Sequence, residues 1–203
     1  MKRLIAILFT IAIGTCGAQA QSLDALLKGL GGLFGGSTEQ AEQPAKKPNY
    51  PTEKELANKW VFQQLEMEYS GNDPLASVAV AAAKQQLPAL ATKAELTAGK
   101  DYLKIKSDGT MTAVSGDRKA SAKYSYIPPT GMIVITLTNG SDQIIVSATA
   151  TLKDGILSLM FKANELIALA SHSNPELKND SMFAVAQSLC ETYPGITVGL
   201  SFK

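Results

Sequence analysis

Tyr102–Phe161 reads YLKIKSDGTMTAVSGDRKASAKYSYIPPTGMIVITLTNGSDQIIVSATATLKDGILSLMF. Runs rich in Val, Ile, Thr, Tyr and Leu are cut by turn signals at Ser107-Asp108-Gly109, Gly116-Asp117, Pro128-Pro129-Thr130-Gly131, Asn139-Gly140 and Lys153-Asp154-Gly155. A turn every 8 to 15 residues between such runs is the signature of an antiparallel meander that closes into a sandwich or a barrel. Strands are expected near 101–106, 110–115, 119–127, 132–138, 143–152 and 156–161. Ala120, Ala122, Tyr124 and Tyr126 oppose Ser121, Lys123 and Ser125, and Ile144, Val146, Ala148 and Ala150 oppose Ser147, Thr149 and Thr151. This period of two buries one face of each strand and wets the other.

Upstream, a further strand is expected over 58–67, with Trp60, Phe62 and Gln64 on one face and Val61, Gln63 and Leu65 on the other. Asp73 is a natural N-cap with Pro74 at the first helical position, and Ala76–Ala83 is strongly helix-forming; Pro88 should kink that helix or split it in two. Downstream of Phe161 the period changes to about 3.6. Leu166, Ile167, Leu169 and Ala170 predict a short helix, and Asn174-Pro175 caps a second one carrying Leu177, Phe183, Ala186, Leu189 and Cys190. Pro194-Gly195 stops it. Alternation then returns, with Ile196, Val198, Leu200 and Phe202 facing one way and Thr197, Gly199 and Ser201 the other. The count reaches eight strands, and pairing the last with the first abolishes both free edges. The expected fold is thus mainly β: an eight-stranded antiparallel up-and-down barrel over 54–203, with a helix between strands 1 and 2 and two helices before the last strand. Eight strands enclose room for packed side chains or for one small ligand.

The N-terminal residues read as processing and leader segments. Lys2 and Arg3, the apolar run Leu4–Ile13 and Ala18-Gln19-Ala20 match a signal peptide over 1–20. Export to the periplasm or the extracellular space follows, and the apolar run is too short to leave a transmembrane anchor in the mature chain. Ile13-Gly14-Thr15-Cys16 is a competing lipoprotein-type processing site at Cys16. Residues 21–53 divide into a Gly/Leu-rich leader, where Leu23, Leu26, Leu27, Leu30, Leu33 and Phe34 are interrupted by five glycines, and a Pro-containing linker. The leader over 21–36 is either a frayed segment or a short amphipathic element for an envelope protein partner or a lipid surface.

Composition excludes several classes of function. Taking Lys2 and Arg3 from the 19 basic residues leaves 17 against 18 acidic ones, a formal charge of −1 without the basic footprint of a nucleic-acid or anionic-membrane binder. Arg118 is the one arginine after cleavage, which argues against bidentate recognition of phosphate or carboxylate. His172 is the single histidine and stands without a nucleophile turn or a second catalytic group in sequence, so no enzyme is expected. One His and one mature Cys cannot build a structural zinc site, no calcium loop is present, and no cofactor is expected. Asp101, Asp108, Asp117, Asp142 and Asp154 sit at strand ends and turns, where Asp is favoured for local hydrogen bonding. The glycines of 29–36 lack the Lys-Ser/Thr ending of a phosphate loop. Cys190 recurs at helical spacing with Phe183, Ala186 and Leu189 and is expected to be a buried core residue.

Taken together the domain resembles a lipocalin-like family of exported bacterial proteins of unknown function. The likeness rests on Leu56-Ala57-Asn58-Lys59-Trp60, the small-residue helix after it, Lys106-Ser107-Asp108-Gly109-Thr110, Leu157-Ser158-Leu159-Met160-Phe161 and the closing Gly199-Leu200-Ser201-Phe202-Lys203. Asn58 takes the position that is Gly in the usual lipocalin Gly-x-Trp, and no Arg follows Arg118 to lie across the Trp. The resemblance implies a barrel and a small apolar ligand inside it. Trp60, Phe62, Tyr124, Tyr126, Val146, Leu159 and Val198 are the candidate interior residues for that ligand. Small residues at Ala120, Ala122, Ala148 and Ala150 either leave room for it or fill a tapered barrel. In the second case the chain is an envelope interaction module whose barrel is only a scaffold. A monomer is expected in both.

Overall fold

The computed structural model describes residues 48–139, 142–173 and 181–203. Eight antiparallel strands close into one barrel in chain order: β1 Lys59–Tyr69, β2 Tyr102–Ile105, β3 Thr110–Ser115, β4 Arg118–Ile127, β5 Met132–Asn139, β6 Asp142–Lys153, β7 Ile156–Lys162 and β8 Ile196–Phe202. β1 pairs with β2 on one side and with β8 on the other, so the expected closure is realised. Helix α1, Glu53–Leu56, precedes β1; α2, Pro74–Lys84, and α3, Leu87–Lys93, lie between β1 and β2; α4, Ala163–Ser173, and α5, Ser181–Thr192, lie between β7 and β8. The Asn174-Pro175 cap, Leu177 and Gly140 of the Asn139-Gly140 turn fall outside the described residues.

Local chemistry explains where the helices start and stop. Asp73 Oδ1 accepts from the Leu75 and Ala76 amides at 2.8 and 3.2 Å, and Pro74 opens α2. Pro88 splits the helical segment rather than kinking it, because in the first turn of α3 its missing N–H has no partner to lose. α3 ends in a Schellman motif: the Glu95 amide bonds to the Thr92 carbonyl, the Leu96 amide bonds to the Ala91 carbonyl, and Glu95 sits at φ +57°. Glycine is the usual residue there.

The faces expected for β1 hold as far as Phe62 and then exchange. A register shift between Phe62 and Gln64 inserts one residue against β8, so Trp60, Phe62, Leu65 and Met67 are buried while Gln63 and Gln64 are exposed. A bulge moves every later side chain to the opposite face. Elsewhere the alternation is as expected on β5 and β6, with Ile133, Ile135, Leu137, Val146, Ala148 and Ala150 buried, whereas on β8 Gly199 and Ser201 of the opposite face are buried along with Ile196, Val198, Leu200 and Phe202.

Because strand direction alternates, the β2–β3, β4–β5 and β6–β7 turns gather at one end of the barrel with α1 and the C-terminus. The β3–β4 turn and helices α2 to α5 gather at the other. These are the turn end and the helix end.

Candidate functional site

At the turn end the interior is full. Trp60 is 5% exposed and its Nε1 donates to the Leu56 carbonyl at 2.9 Å, which ties β1 to the fully buried Leu56 of α1. A capping box holds α1 in place: Thr52 Oγ1 accepts from the Glu55 amide at 3.2 Å, and the Glu55 carboxylate accepts from the Thr52 amide and hydroxyl at 2.8 Å each. Those bonds favour the ionised carboxyl and hold Glu55 below the usual carboxylate range. Upstream of α1 the chain straps the barrel. Asn49 pairs with Leu152 through its carbonyl and its Nδ2, both at 2.8 Å, and Tyr126 Oη donates to the carbonyl of the buried Pro51 at 2.6 Å. Tyr124 Oη donates in the same way to the Lys106 carbonyl at 2.7 Å. Burial is the first cause of a raised pKa in both tyrosines.

Toward the helix end the same strands enclose a cavity of about 250 Å³. Its space comes from Ala113 on β3 and Ala120 and Ala122 on β4, three small side chains in neighbouring inward positions. Opposite them stand Phe62, Ile135, Leu137, Leu159, Phe161, Leu200 and Phe202, so the walls are apolar. Phe62 and Phe202 meet edge to face, with ring centroids 6.1 Å apart. The three alanines point inward yet are only half-buried, so their side chains border the open space of the cavity instead of packed neighbours.

Polar groups are confined to the mouth. Asp101, 5% exposed, accepts from the Thr97 amide at 2.8 Å, from Ser115 Oγ at 2.8 Å and from the Gly116 amide at 3.1 Å. Ser115 Oγ also lies 3.2 Å from the Glu95 carbonyl. These bonds fasten the loop after α3 to the β3–β4 turn, with Leu96 completing the wall. Arg118 occupies the inward phase of β4 above Ala120 and Ala122, and its guanidinium pairs with the Glu95 carboxylate. Both side chains stay in contact with water, at 42% and 61% exposure. Among the described residues no group of three His, Cys, Asp or Glu side chains is placed to hold a metal.

Of the residues expected to meet a ligand, Phe62 and Leu159 line the cavity. Trp60, Tyr124 and Tyr126 belong to the packed turn end, and Val146 and Val198 belong to the buried core without lining the cavity. Ala120 and Ala122 supply the space, whereas Ala148 and Ala150 are packed at 5% and 0% exposure. Cys190 is buried as expected.

Sequence reasoning missed Ala113, Leu96, Asp101, Ser115 and Arg118 as members of one site. They come from the α3–β2 connection, β3 and β4, and no single local period joins all five. α1 was missed too, although Thr52-x-x-Glu55 before Leu56 carries the capping-box pattern in plain sight.

Among the described residues no helix is long and apolar enough to cross a membrane. The family model of a lipocalin-like domain (DUF4923) matches residues 37–203. No curated protein and no solved structure matches the chain.

Proposed function

The chain belongs to the lipocalin-like domain family, and on that premise we propose that it is an exported, monomeric, non-catalytic binder of one small apolar ligand held at the helix end of the barrel. The observation that carries this reading is the apolar cavity of about 250 Å³ beneath Ala113, Ala120 and Ala122. A dry cavity of about 150 Å³ admits benzene, and drug-sized ligands take about 300 Å³ or more. The volume here falls between the two, which suits a molecule on the order of ten non-hydrogen atoms. Apolar walls supply affinity without direction, and the polar groups at the mouth supply the direction. The walls are apolar, and the buried Asp101 is occupied by three donors that fasten the mouth, which supports binding as the chemistry of this site.

1-Octanol, with nine non-hydrogen atoms, is a suitable probe. Titration of the mature full chain by isothermal calorimetry should give saturable one-to-one binding, and the Ala120→Leu/Ala122→Leu variant, which fills the cavity, should give none. Equal binding by the two proteins would place the probe elsewhere and remove the basis of this reading. Native mass spectrometry after gentle extraction should in addition show a bound mass on the parent chain.

A further inference from the structure

Glu95 occupies the left-handed position that ends α3, with φ +57°. Glycine takes that position at no steric cost, and a residue with a Cβ costs about 1 kcal/mol more there. Termination of the helix therefore does not call for a glutamate. What the glutamate adds is the carboxylate that pairs with Arg118 at the mouth of the cavity.

Arg118 is the one arginine after residue 20, and it stands in line with Ala120 and Ala122 on the inward face of β4. Alternate residues on a strand are about 6.8 Å apart, so a guanidinium at the rim is followed directly by the two small side chains that make the apolar space. Asp101, the other acid at the mouth, is engaged by Thr97, Ser115 and Gly116 within the wall. Among the described residues Lys119, beside Arg118, has no carboxylate within ion-pair distance.

We infer that the ligand is a small amphiphile with a carboxylate head, whose apolar tail fills the cavity and whose head takes Arg118 from Glu95. This rests on the binding reading above and adds the chemistry of the ligand to it. The exchange conserves charge: one carboxylate replaces another on the guanidinium, and Glu95 turns into water, where its 61% exposure already leaves it half-solvated. A planar carboxylate fits the guanidinium fork bidentately, and the partner that Arg118 already holds is a carboxylate. A single arginine suffices because the head needs one fork and the tail supplies the remaining affinity. In the resting protein Glu95 thus acts as an internal competitor.

Octanoate, 1-octanol and octylamine share one tail and differ in the head, so their affinities for the mature full chain at pH 7 separate the contributions. In the parent, octanoate should bind more tightly than octylamine. Glu95→Gly removes the competitor and suits the helix end, so the ratio of octanoate to octanol affinity should rise about fivefold, while the melting temperature stays near that of the parent. Arg118→Gln should lower that ratio by a similar factor. If octanol binds but the ratio moves in neither variant, or if octylamine binds most tightly, the carboxylate inference is overturned and the apolar-binding reading stands. If none of the three probes binds, both fall.

Discussion

The turn end and the helix end of this barrel are made by the same eight strands, yet one is solid and the other hollow. At the turn end Trp60, Leu56, Ile105, Ile133 and Leu157 are buried, and the strap from Asn49 to Pro51 seals the outside. On β3 and β4 of the same barrel, Ala113, Ala120 and Ala122 leave about 250 Å³ unfilled. Closure is therefore a property of the pairing of β1 with β8, and filling is a separate property of side-chain volume on two strands. Stability should be concentrated at the first end and ligand contact at the second.

Truncation puts the largest strain on this contrast. Trp60→Ala removes the side chain that joins β1 to α1 and should cost about 3–5 kcal/mol. Leu137→Ala, on the cavity wall, already borders empty space and should fall near the bottom of the range for leucine, about 2 kcal/mol. Urea denaturation of both variants checks this. Equal losses would mean that the helix end is as tightly packed as the turn end.

A second comparison uses two glycines with the same backbone demand. Gly131 at the turn end has φ +65°, and a Cβ there would lie 2.3 Å from the Tyr50 ring and 2.7 Å from the Ala150 carbonyl. Gly116 at the helix end has φ +54°, and a Cβ there would meet nothing within 4 Å. Gly116→Ala should cost only the left-handed conformation, about 1–2 kcal/mol. Gly131→Ala adds displacement of the strap and should cost at least about 1 kcal/mol more. The difference between the two denaturation midpoints is the measurement, and a difference of zero would show that the strap yields freely.

Which of these features could be read in the sequence follows from how far apart their parts lie. The meander was legible because each strand carries its own alternation and each turn its own Gly, Asp or Pro; Asp154-Gly155, with both φ angles positive, is a hairpin turn declared by two adjacent residues. Closure was legible because Ile196, Val198, Leu200 and Phe202 repeat the pattern at the far end. The phase of β1 beyond Phe62 was not, since the register shift there depends on how β8 lies against it. The cavity was half legible: Ala120 and Ala122 stood out as small, but so did Ala148 and Ala150. Neighbours across the barrel decide which pair is covered. Scarcity was all that the sequence said of Arg118, and the fold adds that it stands in line with Ala120 and Ala122 and pairs with Glu95.

Filling the cavity should have the reverse sign to truncation. Ala120→Leu adds apolar volume where space exists, so the overpacking cost of about 1–3 kcal/mol expected in a full core should be absent. A change between no effect and a gain of about 1 kcal/mol is expected. The same substitution at Ala150, which is fully buried, should show the overpacking cost in full. Thermal denaturation of the two variants side by side tests the assignment of hollow and solid, and a loss at Ala120 equal to that at Ala150 would contradict it.

The dependence on pH belongs to the turn end alone. Tyr124 and Tyr126 have pKa values raised above the ordinary tyrosine value, by burial first and by nearby acidic groups second. The folded chain keeps these protons after the unfolded chain has released them. Their contribution is therefore complete below about pH 10, the unfolded value, and is lost as pH rises through the raised values in the fold. Tyr124→Phe/Tyr126→Phe should be less stable at neutral pH by about 1 kcal/mol for each hydrogen bond removed, to the Lys106 and Pro51 carbonyls. It should also decline less steeply than the parent as pH rises above about 10. Other titrating groups are common to both proteins, so the difference between the two stability curves isolates the tyrosines. Amide exchange adds the location: if the strap is held by Tyr126, alkaline pH should speed exchange at Leu152, whose amide donates to Asn49, before it speeds exchange at Gly116 beside Asp101.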